Sequence, residues 1–202
     1  GVRRMEDGRP DGRPGLGDLP SLAGRDGGSV GALVGKADER ELCSGLREYG
    51  EERRARAIAR EIVRFRESRG METTLQLREA VAKAAPREDL NGTLSRVFQA
   101  LRIWANGELE SLSAFLPSAV ECLNPGARIV IISYHSLEDR IVKRFFRDEE
   151  KGCVCPKDFP ECRCGRSPRL AVVTRSALRP SEEEIERNSR SRSAKLRAAE
   201  RL

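Results

Sequence analysis

Apolar positions recur at helical spacing from about Ala37 to Cys122, after which the pattern changes to short β-branched runs. Within Glu51–Glu67, Ala55, Ile58, Ile62 and Phe65 form one stripe with arginines opposite, which predicts an amphipathic helix. Thr73-Thr-Leu-Gln76 has the form of a capping box and opens a helix with Leu77, Ala80, Val81 and Ala84 inward. Pro86 ends that helix, because its ring crowds the preceding residue out of the helical region. A third helix over about Leu94–Ala105 places Phe98, Leu101 and Ala105 on one side. A fourth, about Glu108–Cys122, turns Leu109, Leu112, Phe115 and Leu116 inward and is expected to kink at Pro117. Cys43 and Cys122 fall on helices, where they read as packing residues.

Asn124-Pro-Gly126 reads as a turn, and Arg128–Tyr134 as a continuous β-branched strand covered on both faces. His135 follows, and Ser136-Leu-Glu-Asp139 reads as a second capping box opening a helix to about Arg147. Beyond a cysteine-rich loop, Arg169-Leu-Ala-Val-Val-Thr174 predicts another strand, and Pro180-Ser-Glu-Glu-Glu184 caps a short terminal helix. Helix, turn, buried strand, helix is half of a doubly wound α/β sheet.

Residues 1–36 stand apart. They hold ten of the 18 glycines and three prolines with almost no apolar periodicity, so the segment is expected to be disordered. Its glycines do not make a phosphate loop. Gly35-Lys36 is followed by Ala37, Val30 stands where the first glycine of the pattern is required, and G-x-G-x-x-G does not occur.

Composition narrows the function classes. No apolar run approaches the length of a membrane span, and no charged-then-apolar signal pattern opens the chain, so a cytoplasmic protein is expected. Six cysteines without such a signal point to reduced thiols or a metal site rather than a disulfide framework. His135 is the single histidine, which excludes a multi-histidine metal site. The net charge of +6 equals the excess in residues 151–202, where 13 Lys/Arg face 7 Asp/Glu. That basic segment reads either as a contact for a polyanion such as RNA or as a solvated tail.

Ligands of open α/β sheets bind outside the carboxyl ends of strands. Tyr134, His135 and Ser136 occupy that position, with Asp139 and Arg140 one helical turn on. His135 there either orients a polar substrate or accepts a proton; the plainer alternative is that Ser136 caps the helix and His135 satisfies a loop carbonyl. Arg102 and Asn106 flank the change from helical to α/β pattern, and Arg53, Arg56 and Arg60 share a face that meets either phosphates or solvent. Cys153-Val-Cys155 and Cys162-Arg-Cys164 place four thiols in twelve residues. Such a set suits one tetrahedral zinc, an ordered loop of reduced cysteines, or a redox pair.

Arg96-Val-Phe-Gln-Ala-Leu-Arg-Ile103, Asn106-Gly-Glu-Leu109 and Pro125-Gly-Ala-Arg-Ile-Val-Ile-Ile-Ser-Tyr-His-Ser-Leu-Glu-Asp-Arg140 closely resemble the ribosomal small-subunit RNA cytosine-N4 methyltransferase family (RsmH/MraW). Tyr49-Gly-Glu-Glu-Arg53, the Cys153–Gly165 loop and Ser189-Arg-Ser-Arg-Ser-Ala-Lys-Leu-Arg197 extend the resemblance over roughly residues 45–202. It implies the C-terminal half of a Rossmann-like class I methyltransferase sheet with an inserted all-α helical domain. Residues 37–105 would be the insert holding rRNA, and residues 106–202 the second half of the catalytic domain. The implied reaction is S-adenosylmethionine-dependent N4-methylation of a cytidine in 16S rRNA, with the small ribosomal subunit as partner. His135, Ser136, Asp139 and Arg140 would form the rim of the crevice.

The family's Asp-Gly-Thr-x-Gly-x-Gly-Gly-His cofactor segment is absent, so no cofactor-binding residue carries over. The missing N-terminal half would supply parallel neighbours to strand Arg128–Tyr134. Without them the chain is expected to be marginally stable and inactive alone. The alternatives from another class are a non-catalytic RNA-binding remnant or a zinc-stabilised RNA-binding module.

Overall fold

The computed structural model describes residues 30–153, 155, 161 and 164–202. The chain divides after Glu108 into two compact units. The sequence pattern set the change at 105/106.

The first unit is all-helical: α1 (Val30–Lys36), α2 (Glu39–Gly50), α3 (Ala55–Arg69), α4 (Thr74–Ala84) and α5 (Leu90–Asn106). Its core joins Leu42 and Leu46 of α2, Ile58 and Ile62 of α3, Leu77 and Val81 of α4 and Val97 and Leu101 of α5. The Thr73–Gln76 capping box is present, and α4 ends before Pro86 as predicted. Asp38 and Glu41 make a further capping box at the start of α2.

The disorder expected for residues 1–36 is corrected over 30–36, where α1 buries Val30 and Val34. The Arg66 guanidinium donates to the carbonyls of Val34 (2.7 Å) and Ala37 (2.8 Å), supplying partners that a short helix end lacks. Residues 1–29 lie outside the described residues.

Two glycines of α2 allow close packing. A Cβ at Gly45 would stand 2.5 Å from the Trp104 ring, and one at Gly50 would stand 2.9 Å from the Arg96 carbonyl oxygen.

The second unit packs α6 (Glu108–Glu121, beyond its first residue) and α7 (Ser136–Lys151) with β1 (Arg128–Ser133), β2 (Leu170–Val172) and β3 (Lys195–Arg201); α8 (Glu182–Arg187) precedes β3. The sheet order is β1-β3-β2, and β3 is antiparallel to both neighbours, so β1 and β2 are parallel to each other. Leu116, Val120, Ile129, Val142, Phe146, Leu170 and Ala199 form its core. α6 runs through Pro117, and Phe115 is exposed rather than inward. Cys43 is partly buried against the helical core as expected, whereas Cys122 is exposed just beyond α6.

Three expectations are corrected here. The supposed basic tail contains β3, the central strand, with Arg197, Ala198 and Ala199 buried. Strand β1 has an antiparallel neighbour on one flank, and on its other flank no ladder partner among the described residues. It is also covered on one face only. Ile129 and Ser133 are buried, while Val130, Ile132 and the following Tyr134 are 52%, 54% and 58% exposed.

Candidate functional site

The carboxyl end of β1 runs directly into α7, and this junction holds the histidine. His135, not Ser136, is the N-cap of α7, and the capping box pairs it with Glu138 rather than pairing Ser136 with Asp139. His135 Nδ1 accepts from the Glu138 N–H (3.3 Å). Glu138 Oε2 in turn accepts from the N–H groups of Tyr134 (2.9 Å) and His135 (3.3 Å). An imidazole whose Nδ1 accepts carries its neutral-form proton on Nε2. That atom lies 3.2 Å from Glu138 Oε1, off the line of a good hydrogen bond. Both it and the Ser133 hydroxyl are buried without a well-aligned partner among the described residues. Burial opposes the Glu138 charge, but contact with His135 and the donated N–H groups hold its carboxyl below its ordinary value. Tyr134, Ser136 and Arg140 are exposed beside this knot.

Asp139 points elsewhere. Its carboxylate accepts from Arg197 Nε at 2.6 Å and NH2 at 3.3 Å, with Lys195 Nζ at 3.5 Å, tying the first turn of α7 to β3. Burial works to raise its pKa, and the two cations outweigh that effect. At the other end of α7, buried Glu149 accepts from Arg169 Nε (2.5 Å) and Arg166 NH2 (3.1 Å). The Arg169 hydrogen bond is the largest influence and lowers the Glu149 pKa, while burial opposes it.

All three carboxyls are therefore depressed in the folded state. Their stabilisation is complete above about pH 4.5 and is lost as the pH falls through the lowered folded values. The urea midpoint is accordingly expected to stay level from about pH 7 to 5 and to drop below that. Glu149→Gln should flatten the drop. A midpoint already falling between those two values would count against this assignment.

In the helical unit, Glu108 gathers two predicted residues. Arg102 donates to both of its carboxylate oxygens at 3.0 and 3.2 Å, and Asn106 donates through Nδ2 at 3.0 Å. Gly107 makes the geometry possible by ending α5 in the left-handed conformation at φ 58°. Sequence reasoning missed Glu108; the signal was an acid two residues beyond Asn106 across a helix-ending glycine. Arg53 lies in the turn before α3 and not on its face. Arg60 pairs with Glu39 at 3.8 Å. Arg56, with Arg40 and Arg47, borders an open groove of about 780 Å³ that also contains Glu39 and Glu48. The structure thus brings Arg102 and Asn106 together but does not gather Arg53, Arg56 and Arg60 into one cluster.

Three of the four predicted thiols converge. The sulfurs of Cys153, Cys155 and Cys164 lie within 4.8 Å of one another, each half-buried. Cys162 lies outside the described residues.

A family model described as the MraW methylase family matches residues 25–202. The chain belongs to that family. Relatives named "Ribosomal RNA small subunit methyltransferase H" agree with it. That of Carboxydothermus hydrogenoformans is 55% identical over 172 residues, covering 84% of this chain and 55% of the relative. That of Thermomicrobium roseum is 51% identical over 177 residues (87% and 54%), and that of Oleidesulfovibrio alaskensis 46% over 190 (92% and 56%). The chain spans about half the length of the curated relatives it matches.

Several residues that carried the MraW resemblance are fasteners. Arg96 Nε donates to buried Glu52 at 2.6 Å and its NH2 to Asp89 at 2.9 Å; the Asp89 bond is the largest influence raising the Arg96 pKa. Tyr49 stacks on Trp104 with centroids 6.4 Å apart. The blocks Tyr49–Arg53 and Arg96–Ile103 thus meet across α2 and α5.

A methyltransferase family implies S-adenosylmethionine. The cavity bordered by Phe146, Val172, Thr174 and Arg197 is about 120 Å³, below the roughly 300–1,000 Å³ of ligand pockets. With no ladder partner on one flank of β1 among the described residues and no Asp-Gly-Thr-x-Gly-x-Gly-Gly-His segment in the sequence, the described residues do not by themselves fit that cofactor.

Proposed function

We propose that this chain is the C-terminal part of an S-adenosylmethionine-dependent methyltransferase acting on the N4 amine of a cytidine in 16S rRNA. On this reading it works on the small ribosomal subunit in the bacterial cytoplasm. The observation that carries the reading is β1. It is a β-branched strand that, among the described residues, has one flank without a ladder partner and one exposed apolar face, and the His135–Glu138 knot stands at its carboxyl end. A doubly wound sheet places its ligands at such an end. The described sheet is then the second half of a Rossmann-like domain. A companion half supplies the missing neighbour of β1, the cover for Val130 and Ile132, and the cofactor's own segment.

The chain's residues take the following roles. His135 keeps its cap only while Nδ1 accepts and its Nε2 is buried, so it serves as a positioning residue that holds the start of α7 behind the rim rather than as the proton acceptor. Tyr134, Ser136 and Arg140 form the exposed rim. Asp139 positions that rim from behind by anchoring α7 to β3. Glu108 orients Arg102 and Asn106 as substrate contacts, and the helical insert meets rRNA phosphates through Arg56 at the groove it shares with Arg40 and Arg47.

A second reading is favoured by one observation. The groove bordered by Arg40, Arg47 and Arg56 belongs wholly to the helical unit, so it supports RNA binding without catalysis.

The test is to co-express the chain with the N-terminal half of the Carboxydothermus hydrogenoformans relative, incubate the product with unmethylated small subunits, and identify modified nucleosides by mass spectrometry. N4-methylcytidine in 16S rRNA is the expected product. RNA binding with no methylated nucleoside would favour the second reading.

A further inference from the structure

We propose that Cys153, Cys155 and Cys164 hold one zinc ion that closes the loop between α7 and β2. This proposal does not depend on the methyltransferase reading.

The two ends of the loop are fastened to each other by protein contacts. Gly152 ends α7 at φ 68°, where a Cβ would stand 2.5 Å from the Pro168 nitrogen and 2.6 Å from the Ser167 carbonyl carbon. Glu149 receives Arg166 and Arg169, and the Arg169 N–H donates to the Glu149 carbonyl at 3.0 Å. Along the chain, Cys153 and Cys155 follow one side of this neck and Cys164 precedes the other.

Between the pairs the sequence offers Pro156-Lys-Asp-Phe-Pro-Glu161, too little apolar surface to form a core. A cross-link is the economical way to order such a loop. Three sulfurs within 4.8 Å of one another exceed what one disulfide uses. Tetrahedral thiolates at about 2.3 Å from zinc stand about 3.8 Å apart, so the sulfurs need to close by at most about 1 Å. Thiolate-rich tetrahedral sites select zinc over the harder divalent ions. The sequence supplies a fourth thiol, Cys162, two residues before Cys164. The role is structural, because the loop follows the C-terminus of α7, 16 residues or about 24 Å of helix away from His135.

The experiment uses the purified 202-residue chain kept in reductant, loaded with zinc and passed over a chelating resin. Elemental analysis is expected to find about one zinc per chain. Cobalt(II) in its place should give the strong visible bands and thiolate charge-transfer absorption of a tetrahedral sulfur site. Cys153→Ser, Cys155→Ser and Cys164→Ser should each lower retained metal at least about tenfold, while Cys43→Ser and Cys122→Ser leave it unchanged. Cys162→Ser decides the fourth position: loss of metal adds Cys162 as a ligand, and retained metal leaves the three-thiolate site as proposed.

The cobalt titration reads the unmodified chain, so a variant that fails to fold does not remove the test. Zinc below about a tenth per chain together with a featureless cobalt spectrum would overturn the proposal. So would undiminished metal in the triple serine variant, or a disulfide among these cysteines under the same reducing conditions.

Discussion

Asp139→Ala is expected to cost the α/β unit about 3–5 kcal/mol, because it leaves the Arg197 guanidinium buried and uncompensated. Both side chains are shielded, at 13% and 8% exposure, and two hydrogen bonds join them. A loss of that size is comparable to the whole stability of a marginal domain. The urea midpoint is therefore expected to fall steeply, or the unit to unfold at room temperature. Asp139→Ala with Arg197→Met separates this account from a direct role in substrate binding. An apolar residue at 197 needs no counter-charge, so the double variant should regain most of the lost stability. A single variant that loses less than about 1 kcal/mol would return Asp139 to the rim of the crevice.

Ile132→Glu carries the largest expected effect on assembly. In the isolated chain its side chain is 54% exposed, so the substitution should change stability by under about 1 kcal/mol. In the reconstituted enzyme the same face is covered under the proposed reading. Burying one such aliphatic side chain contributes about 1.5–3 kcal/mol, and a carboxylate there would be desolvated without a partner. The variant should then fail to co-purify with the N-terminal half and lose methyl transfer. Ile129→Glu, on the buried face, should destabilise the isolated chain as well. Wild-type assembly by Ile132→Glu would show that nothing covers this face.

The contrast between these residues explains what the sequence revealed and what it hid. A run of β-branched residues looks the same whether a strand is covered on two faces or one, so the open side of β1 was visible only in three dimensions. Strand β3 was hidden for a different reason. Lys195-Leu-Arg-Ala-Ala-Glu-Arg201 contains helix-favouring residues and no β-branched ones. It is a strand because β1 and β2 both pair with it, and because Arg197 finds Asp139 58 residues away. Helix α1 was masked by the glycine-rich stretch around its few apolar residues.

The helical unit was legible because its stripes and its Thr73 cap are local. At the site, the His-Ser-Leu-Glu-Asp-Arg block gave the position, but serine is the commoner cap and the assignment slipped by one residue. The correct cap changes the chemistry, since it fixes which imidazole nitrogen carries the proton. Glu108 went unnoticed because its partners are joined to it only by the left-handed turn at Gly107.

The most direct test of the central claim is methyl incorporation into unmethylated small ribosomal subunits, measured with labelled S-adenosylmethionine for the 202-residue chain alone and with the N-terminal half added. The account predicts background incorporation by the chain alone and turnover once the companion half is present. Turnover by the chain alone would contradict it, because a complete cofactor site would then lie within these residues.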